Sequence, residues 1–168
     1  MKIKTLIFTL ILTFVAFYSQ AQKYGYLNSS QIIMIHPDIK AADQKLINFQ
    51  NDLISQGEEM ARKLESNYNA YVTEANKGTL TQIQMQEKET ALGQEQQAIR
   101  QFEVEMQQKI LKKREELYQP VLNLIQKAVE EVGKENSYMM IFDTSTGGIL
   151  HAGDTDNVLE LVKKKLNL

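Results

Sequence analysis

The feature that most constrains this chain is a seven-residue apolar repeat that runs through two long segments of the sequence. In the first segment, the repeat and its alternate positions comprise Ile39, Ala42, Leu46, Phe49, Leu53 and Met60. In the second segment, two series in shifted phases comprise Leu92, Ile99 and Met106, then Ile110, Leu117 and Leu124. Apolar residues at this spacing are typical of helices that pack together as a coiled coil. The sequence therefore predicts two long, mutually packed helices.

A single strong breaker, Asn-Lys-Gly-Thr at residues 76–79, separates the two segments and predicts a reversal of the chain. We predict one helix over residues 38–75, opened by Pro37, and a second, antiparallel helix over residues 81–136. At about 1.5 Å per residue these helices are longer than a compact domain of this size is wide. The hairpin is therefore expected to project. Pro120 lacks a backbone N–H and is expected to kink the second helix.

The sequence on both sides of the hairpin has strand patterns. Residues 23–27 form a short aromatic and apolar run that predicts a strand, and residues 31–35 are typical of one helical turn. Residues 138–142 are continuously apolar, as in a buried strand. A Gly-Gly turn then leads to residues 149–152, which we predict to pair with the preceding strand as a β-hairpin. We predict an α+β, mostly α fold, in which a long antiparallel coiled-coil hairpin projects from a small β body.

The chain closes with an apolar and basic segment that predicts a C-terminal helix, and we expect Asp154 or Thr155 to cap it. A sheet with so few strands is marginal by itself, and its open edges can pair with other chains. The sequence therefore predicts that several copies of the chain associate through the body.

The first 21 residues predict a signal peptide. Lys2 and Lys4 precede an apolar run over residues 6–18, and small side chains follow at the positions that a signal peptidase reads. The run is shorter than the roughly 20 residues that a membrane-spanning helix needs. We therefore expect cleavage after Ala21, export, and no transmembrane segment in the mature chain.

We expect the mature chain, residues 22–168, to be one domain. Its body would comprise residues 22–37 and about 120–168, and the hairpin about 38–119. The full chain has 19 basic and 21 acidic residues, and loss of the signal makes it more acidic. This balance argues against nucleic acid or an anionic membrane surface as the main partner. Cysteine is absent, so stability must come from packing or assembly.

The residues that most enzymes need are scarce in this chain. His36 and His151 are the only histidines, and they lie far apart in the sequence. A zinc site would need three or four convergent ligands, a serine nucleophile would need a positioned base, and no glycine-rich phosphate loop is present. We predict a protein that is not an enzyme and has no metal or other cofactor, and we interpret both histidines as structural.

The order of elements resembles that of the Skp/OmpH family of periplasmic chaperones over essentially the whole mature chain. The segments that carry the resemblance, in the family's order, are residues 24–29, 36–37, 119–121, 137–143, 147–152 and 154–155. The resemblance implies a trimer, in which strands of three subunits form a common body and three hairpins enclose a cavity. It also implies a periplasmic holdase that binds unfolded outer-membrane proteins without ATP.

One departure from the family concerns charge. Well-known members are strongly basic, whereas residues 60–100 of this chain carry five basic and five acidic side chains. This balance argues against electrostatic capture of acidic chains and against lipopolysaccharide as a ligand. An alternative function also stays open, namely a structural or adaptor protein of the cell envelope whose coiled coil binds one folded partner.

Several side chains near the turn of the hairpin are candidates for contact with an unfolded protein. The candidates are Met60, Tyr68, Tyr71, Ile83 and Met85. Met60, like Leu92, is most simply a seam residue between the helices, whereas Ile83 and Met85 are two positions apart and cannot share one seam comfortably. Flexible Met and amphipathic Tyr suit many weak contacts. We predict that some of these side chains face the bound protein.

Overall fold

The structure is a computed structural model that describes residues 22–168. The predicted signal peptide lies outside the described residues. The described chain divides into two compact units, one comprising residues 22–35 and 124–168 and the other residues 36–123. Among the described residues, no helix is long and apolar enough to cross a membrane.

Helices dominate the described chain. In chain order, the elements are β1 (Lys23–Leu27), α1 (Ser29–Ile35), α2 (Pro37–Asn76), α3 (Gln82–Glu135), β2 (Tyr138–Asp143) and α4 (Leu159–Lys165). Two short 3-10 turns, Thr144–Thr146 and Asp154–Asp156, lie between β2 and α4. The predicted fold class, mostly α with two long helices, a small β part and a C-terminal helix, is confirmed.

The ends of the two long helices lie where the sequence signals placed them. Pro37 occupies the first turn of α2, and Nδ1 of His36 accepts a hydrogen bond of 3.2 Å from the backbone N–H of Asp38. After α2, Gly78 takes a left-handed conformation with φ of 67°, which glycine adopts without strain. Thr81 and Gln84 exchange hydrogen bonds of 2.9 and 3.3 Å between side chain and backbone. This reciprocal pair is the capping box that starts a helix.

The contacts between α2 and α3 confirm that the helices run antiparallel. Moving outward along α2 towards the turn, the contact partners on α3 have steadily decreasing numbers. The pairs are Asp43 with Tyr118, Phe49 with Lys113, Gly57 with Phe102, Asn67 with Glu95, and Glu74 with Lys88. The buried apolar side chains of α2 are Ile39, Ala42, Leu46 and Leu53. All four belong to the predicted seven-residue repeat.

The strands pair differently from the prediction. β1 and β2 form a two-stranded parallel sheet, in which Gly25 lies opposite Ile141 and Leu27 opposite Asp143. Residues 149–152 form neither a strand nor a ladder with β2, so the predicted β-hairpin is wrong. Because parallel strands need a long connection between them, the whole helical hairpin is the crossover from β1 to β2.

The Asp143 side chain explains why the chain does not turn back along β2. Its carboxylate accepts hydrogen bonds from the backbone N–H and hydroxyl of Ser29 and from the backbone N–H of Ser145. The Thr144 hydroxyl also donates to the carbonyl oxygen of Leu27 at 3.2 Å. These bonds hold the end of β2 against the end of β1. Partial burial acts to raise the pKa of Asp143, but the hydrogen bonds from Ser29 and Ser145 outweigh it and lower the pKa below its ordinary value.

The core of the unit that comprises residues 22–35 and 124–168 forms where α1, β1 and α4 meet. Its most deeply buried side chains are Leu27, Ile32, Val158 and Val162. Gly25 permits a close approach, because an added Cβ would lie 3.0 Å from the ring of Tyr138 and 3.1 Å from Val158. Val158 also donates its backbone N–H to the carbonyl of Tyr26 at 2.9 Å, which ties the start of α4 to β1.

The cap of the last helix is a second correction. Residues Asp154–Asp156 form a separate 3-10 turn, and the N-cap position of α4 is Val158, not residue 154 or 155. Val158 makes no side-chain capping bond, but the side-chain oxygen of Asn157, the residue before it, accepts a hydrogen bond of 3.0 Å from the backbone N–H of Leu159. The predicted helix itself is present, with Lys163, Lys164 and Lys165 in its last turn.

Candidate functional site

A line of exposed apolar side chains runs along α2, one position after the buried seam. Its members, seven residues apart with one small member, are Ile47, Ile54, Ala61 and Tyr68; we call them the α2 stripe. Ile54 is 50% exposed and Tyr68 55%, whereas the neighbouring seam residue Leu53 is 4% exposed. Scattered exposed apolar residues are normal on a protein surface. A helically periodic series of them is not expected from scatter.

The facing helix also exposes large apolar side chains at multiples of seven residues. Ile83 is 71% exposed, and Val104 and Leu111 are each more than half exposed. The positions between Ile83 and Val104 in the same phase are Thr90 and Gln97. The apolar surface of α3 is therefore interrupted, and the α2 stripe is the more continuous of the two.

Tyr68 lies at a shallow apolar depression between the two helices, with a volume of about 360 Å³. The depression is lined by Ala61, Leu64, Glu65, Tyr68, Leu92 and Gln96. It is open to solvent, and most of its lining surface is apolar. Such a depression can accept one apolar side chain of another protein, but it cannot enclose a small molecule as a deep pocket does.

The structure places the five predicted contact residues apart from one another. Tyr68 and Ile83 are exposed, whereas Met60, Tyr71 and Met85 are half-buried. Ile83 lies in a depression on α3, Tyr71 lines a cavity of about 210 Å³, and neither shares the depression of Tyr68. The candidates therefore form a dispersed surface. Sequence reasoning missed Ile47, Ile54, Val104 and Leu111, although their seven-residue spacing would have revealed them.

Tyr71 has a structural contact of its own. Its hydroxyl donates a hydrogen bond to the carboxylate of Glu89 on the facing helix. This bond, together with desolvation and the charge of Glu89, raises the pKa of Tyr71 above its ordinary value. Tyr71 therefore connects the two helices, and only part of its ring is available to another molecule.

Polar contacts hold the half of the hairpin nearest the turn. No side chain in residues 54–120 is fully buried. The Asn67 amide donates to Glu95 at 2.7 Å, and Lys88 pairs with Glu74 at 3.1 Å. The other carboxylate oxygen of Glu95 is buried without a hydrogen-bond partner in the structure. Few buried apolar contacts favour local opening, so this half keeps its apolar side chains accessible.

One pair of oppositely charged side chains lies near the stripe. Arg62 pairs with Glu58 at 3.4 Å, one turn away on α2, and both side chains are exposed. Exposed pairs of this kind contribute little to stability. Among residues 22–168, no three His, Cys, Asp or Glu side chains converge as ligands for a metal ion. The apolar side chains are therefore the distinctive feature of this surface.

The unit that contains the sheet exposes a second apolar surface around its two strands. The exposed side chains there are Tyr24, Met139, Met140, Phe142 and Leu150. The rings of Tyr24 and Phe142 contact each other, with centroids 6.3 Å apart. A two-stranded sheet is marginal by itself, and this one leaves a cluster of apolar side chains in solvent.

Comparison with known proteins places this architecture in a family. The family described as outer membrane protein (OmpH-like) matches residues 23–166. The chain belongs to this family. The resemblance of the sequence to Skp/OmpH proteins is thereby confirmed, and no curated protein matches this OmpH-like chain.

The fold of this OmpH-like protein is also similar to a solved structure. That structure is an OmpH-like protein of Caulobacter crescentus, named as a candidate outer membrane chaperone. The TM-score is 0.73 at 13% sequence identity, over 87% of this chain and 84% of that chain. At this identity the similarity is one of fold, and side-chain roles have to be argued from this chain.

Proposed function

We propose that this OmpH-like protein is an ATP-independent holdase of the periplasm, which binds unfolded outer-membrane proteins and keeps them from aggregating. The observation that carries the proposal is the α2 stripe, a row of exposed apolar side chains on a long helix with no deep pocket beside it. A surface of this kind can contact apolar side chains of many sequences. The family and the predicted signal peptide support the periplasmic location, and no catalytic step is involved.

The geometry of the stripe explains how a bound chain, the client, stays mobile. Side chains seven residues apart on a helix are about 10.5 Å apart along its axis. In an extended client, side chains on the same face recur about every 6.7 Å. The two spacings do not match, so no single register satisfies every contact. A client can therefore exchange among many similar weak contacts.

The proposal includes assembly into a trimer whose three hairpins enclose a cavity. Two observations support association: the sheet has only two strands, and apolar side chains around it are exposed. Three copies would present three stripes to one client. Contacts made together raise the effective concentration at each further contact, so binding becomes tight although each contact is weak.

Within this surface, we assign client contact first to Tyr68 and Ile83, the exposed members of the predicted set. Ile47 and Ile54 join them because they continue the stripe that contains Tyr68. Met60, Tyr71 and Met85 are half-buried and would contribute when the outer part of the hairpin opens locally. The balanced charge of this region disfavours lipopolysaccharide as a ligand.

Aggregation of a urea-denatured outer-membrane barrel tests the proposal, with light scattering after dilution into buffer with and without the protein. We expect suppression near one trimer per barrel, and we expect it to persist in high salt because apolar contacts are not screened. The triple variant Ile47→Gln, Ile54→Gln and Tyr68→Gln removes the stripe while keeping good helix formers. We expect it to lose most of the suppression.

Exposed apolar residues of the unit that contains the sheet provide the control. Met34→Gln with Leu168→Gln makes the same kind of change on exposed side chains of that unit, and we expect it to suppress aggregation as the wild type does. Equal loss in both variants would show that general surface hydrophobicity matters, not the stripe. A well-folded wild-type protein that suppresses nothing at any ratio would refute the holdase.

A coiled-coil adaptor is the second candidate, because a seven-residue stripe is also the surface that a partner helix would recognise. Such a protein would bind one folded partner and ignore the denatured barrel. The aggregation assay therefore separates the two functions.

A further inference from the structure

The depression beside Tyr68 has an apolar floor and a polar rim. Leu64 of α2 and Leu92 of α3 are half-buried and form the floor, one from each helix. Glu65, Gln96 and the ring of Tyr68 are exposed and form the rim. Most of the lining is apolar, and the rim adds a carboxylate, an amide and a phenol hydroxyl. The depression therefore offers two kinds of contact to one incoming side chain.

The chemistry of each part restricts which side chain fits best. A charged group loses hydration against the two leucines, which lowers its affinity. An aromatic ring buries a large apolar area there and also gains from contact with the ring of Tyr68. At the rim, the Glu65 carboxylate can only accept hydrogen bonds, and the amide oxygen of Gln96 accepts them too. The matching side chain has an aromatic body and one N–H or O–H at its tip.

Tyrosine and tryptophan have this combination of groups. The edge of an aromatic ring is positive, so the edge and the tip donor are both complementary to the negative charge of Glu65. The volume of the depression, about 360 Å³, exceeds that of an indole, so even tryptophan enters without displacing the two leucines. Phenylalanine and leucine also fit the floor, but they bring no donor for the acceptors at the rim.

We propose that this depression binds tyrosine and tryptophan side chains of unfolded outer-membrane barrels. The inference rests on the proposed function and names the class of client side chain that one part of the α2 stripe recognises. Barrel proteins carry aromatic residues in two girdles, one at each edge of their apolar band. An unfolded barrel therefore presents such side chains at many points, and Ile47 and Ile54 remain available for its aliphatic side chains.

Arginine is the side chain that competes with this assignment. Its guanidinium stacks on aromatic rings and pairs with carboxylates, so it matches Tyr68 and Glu65. It brings no apolar body for the floor beyond its short stem, and its charge loses hydration against the leucines. Salt separates the two cases, because an ion pair at an exposed rim is screened and an aromatic contact is not.

The chain contains no tryptophan, so a client tryptophan can be observed without background. The probe is an unfolded two-strand segment of an outer-membrane barrel, labelled at one end, with tryptophan, tyrosine, phenylalanine, leucine or arginine at one girdle position. Anisotropy of the label measures its binding to the mature protein. We expect the tyrosine segment to bind about threefold to tenfold more tightly than the phenylalanine segment, in low and high salt alike. The tryptophan emission should shift to shorter wavelength.

Two outcomes of this titration would overturn the inference. Equal affinity of the tyrosine, phenylalanine and leucine segments would mean that the surface responds to apolar area alone. Tightest binding of the arginine segment, lost in high salt, would mean that the site takes a cation instead.

Filling the depression tests whether it is the place where the aromatic side chain binds. Ala61→Phe places a ring at a residue that lines the depression, whereas Ala98→Phe makes the same change at an exposed position of α3 outside it. We expect Ala61→Phe to lose the preference for tryptophan and tyrosine and Ala98→Phe to keep it, with the same helix content by circular dichroism. If Ala61→Phe keeps the preference, the aromatic side chains bind elsewhere and the assignment is wrong.

Removal of the acceptors at the rim tests the role of the tip donor. Glu65→Leu with Gln96→Leu removes both acceptors, and Glu59→Leu with Gln97→Leu makes the same changes at exposed positions outside the depression. The first variant should bind the tyrosine and phenylalanine segments equally, whereas the second should keep the difference. Such a loss of one preference is not expected from a change in stability alone. A difference that survives in the first variant would refute the hydrogen bond at the rim.

The aggregation assay separates failure of this assignment from failure of the proposed function. A wild-type protein that suppresses aggregation but binds all segments equally would leave the holdase standing and refute only the aromatic site. A wild-type protein that prefers the tyrosine segment but suppresses no aggregation would keep the site and refute the holdase. A protein that binds no segment and suppresses nothing would refute both.

Discussion

Substitution by alanine should lower stability at one residue of α2 and client binding at the residue next to it. Leu53 is 4% exposed in the seam, whereas Ile54 is 50% exposed in the α2 stripe. Leu53→Ala deletes buried methyl groups and leaves a cavity, which costs about 2 to 5 kcal/mol of unfolding free energy. Ile54→Ala removes methyl groups that are already partly in solvent and leaves no closed cavity, and alanine's higher helix propensity offsets part of the remaining loss. We expect it to change stability by about 0.5 kcal/mol or less.

Thermal unfolding followed by circular dichroism measures the first half of this prediction. For a domain of this size, 1 kcal/mol shifts the Tm by about 3 °C, so Leu53→Ala should melt about 6 to 15 °C lower than the wild type. Ile54→Ala should melt within about 2 °C of it. Protein concentration must be held constant, because association raises the Tm by mass action.

Suppression of barrel aggregation, measured well below the unfolding temperatures of both variants, tests the second half of the prediction. Leu53→Ala should suppress as well as the wild type per folded molecule, whereas Ile54→Ala should suppress less. The reasoning is refuted if Ile54→Ala destabilises as much as Leu53→Ala, because Ile54 would then belong to a buried seam. It is also refuted if the two variants suppress equally, since the stripe would then make no contact with the client.

Three further predictions concern the local contacts. Gly25→Ala should lower stability by about 1 to 3 kcal/mol through the clash with Tyr138, while Gly93→Ala, with open space around it, should raise it by roughly 0.5 to 1 kcal/mol in denaturant unfolding. Asp143→Asn should cost about 1 kcal/mol at pH 7, a value reduced by solvent screening. Because the folded pKa of Asp143 is lowered, this difference should disappear as pH falls below about 4, and a constant difference would refute it. The pKa of Tyr71 is raised, so its hydrogen bond to Glu89 stabilises the folded protein below about pH 10 and is lost as pH rises through the pKa of the folded state. Hydrogen exchange near the turn should therefore accelerate at alkaline pH more in the wild type than in Tyr71→Phe.

The helices could be predicted from the sequence because their signals are local. Pro37 and the glycine at the turn fix where helices start and end, and the seven-residue repeat identified all four buried side chains of α2. These signals depend on residues a few positions apart, which helix geometry brings together. The predicted bounds accordingly agree with the structure to within one residue.

The strand pairing could not be predicted in the same way, because alternation and apolarity do not name a partner. Residues 149–152 have a strand-like composition, yet the bonds from Ser29 to Asp143 direct β2 to β1 instead. Ser29 and Asp143 are more than a hundred residues apart. Tyr68 was predicted as a contact residue, but Ile47 and Ile54 of the same stripe were missed for a different reason. Leu53 and Ile54 are both apolar, so the repeat of the buried seam hides the second repeat that begins one position later.

The position of the hairpin between two parallel strands has a consequence for how proteins of this design can change length. The body holds β1 against β2 through its own hydrogen bonds, so the connection between them can be lengthened or shortened without a change in strand register. Removal of one heptad from α2 together with the facing heptad from α3 would preserve the phase of both helices. The length of the hairpin is then a variable that evolution or an engineer can adjust in steps of about 10.5 Å along the helix axes, while the pairing of the two strands stays the same.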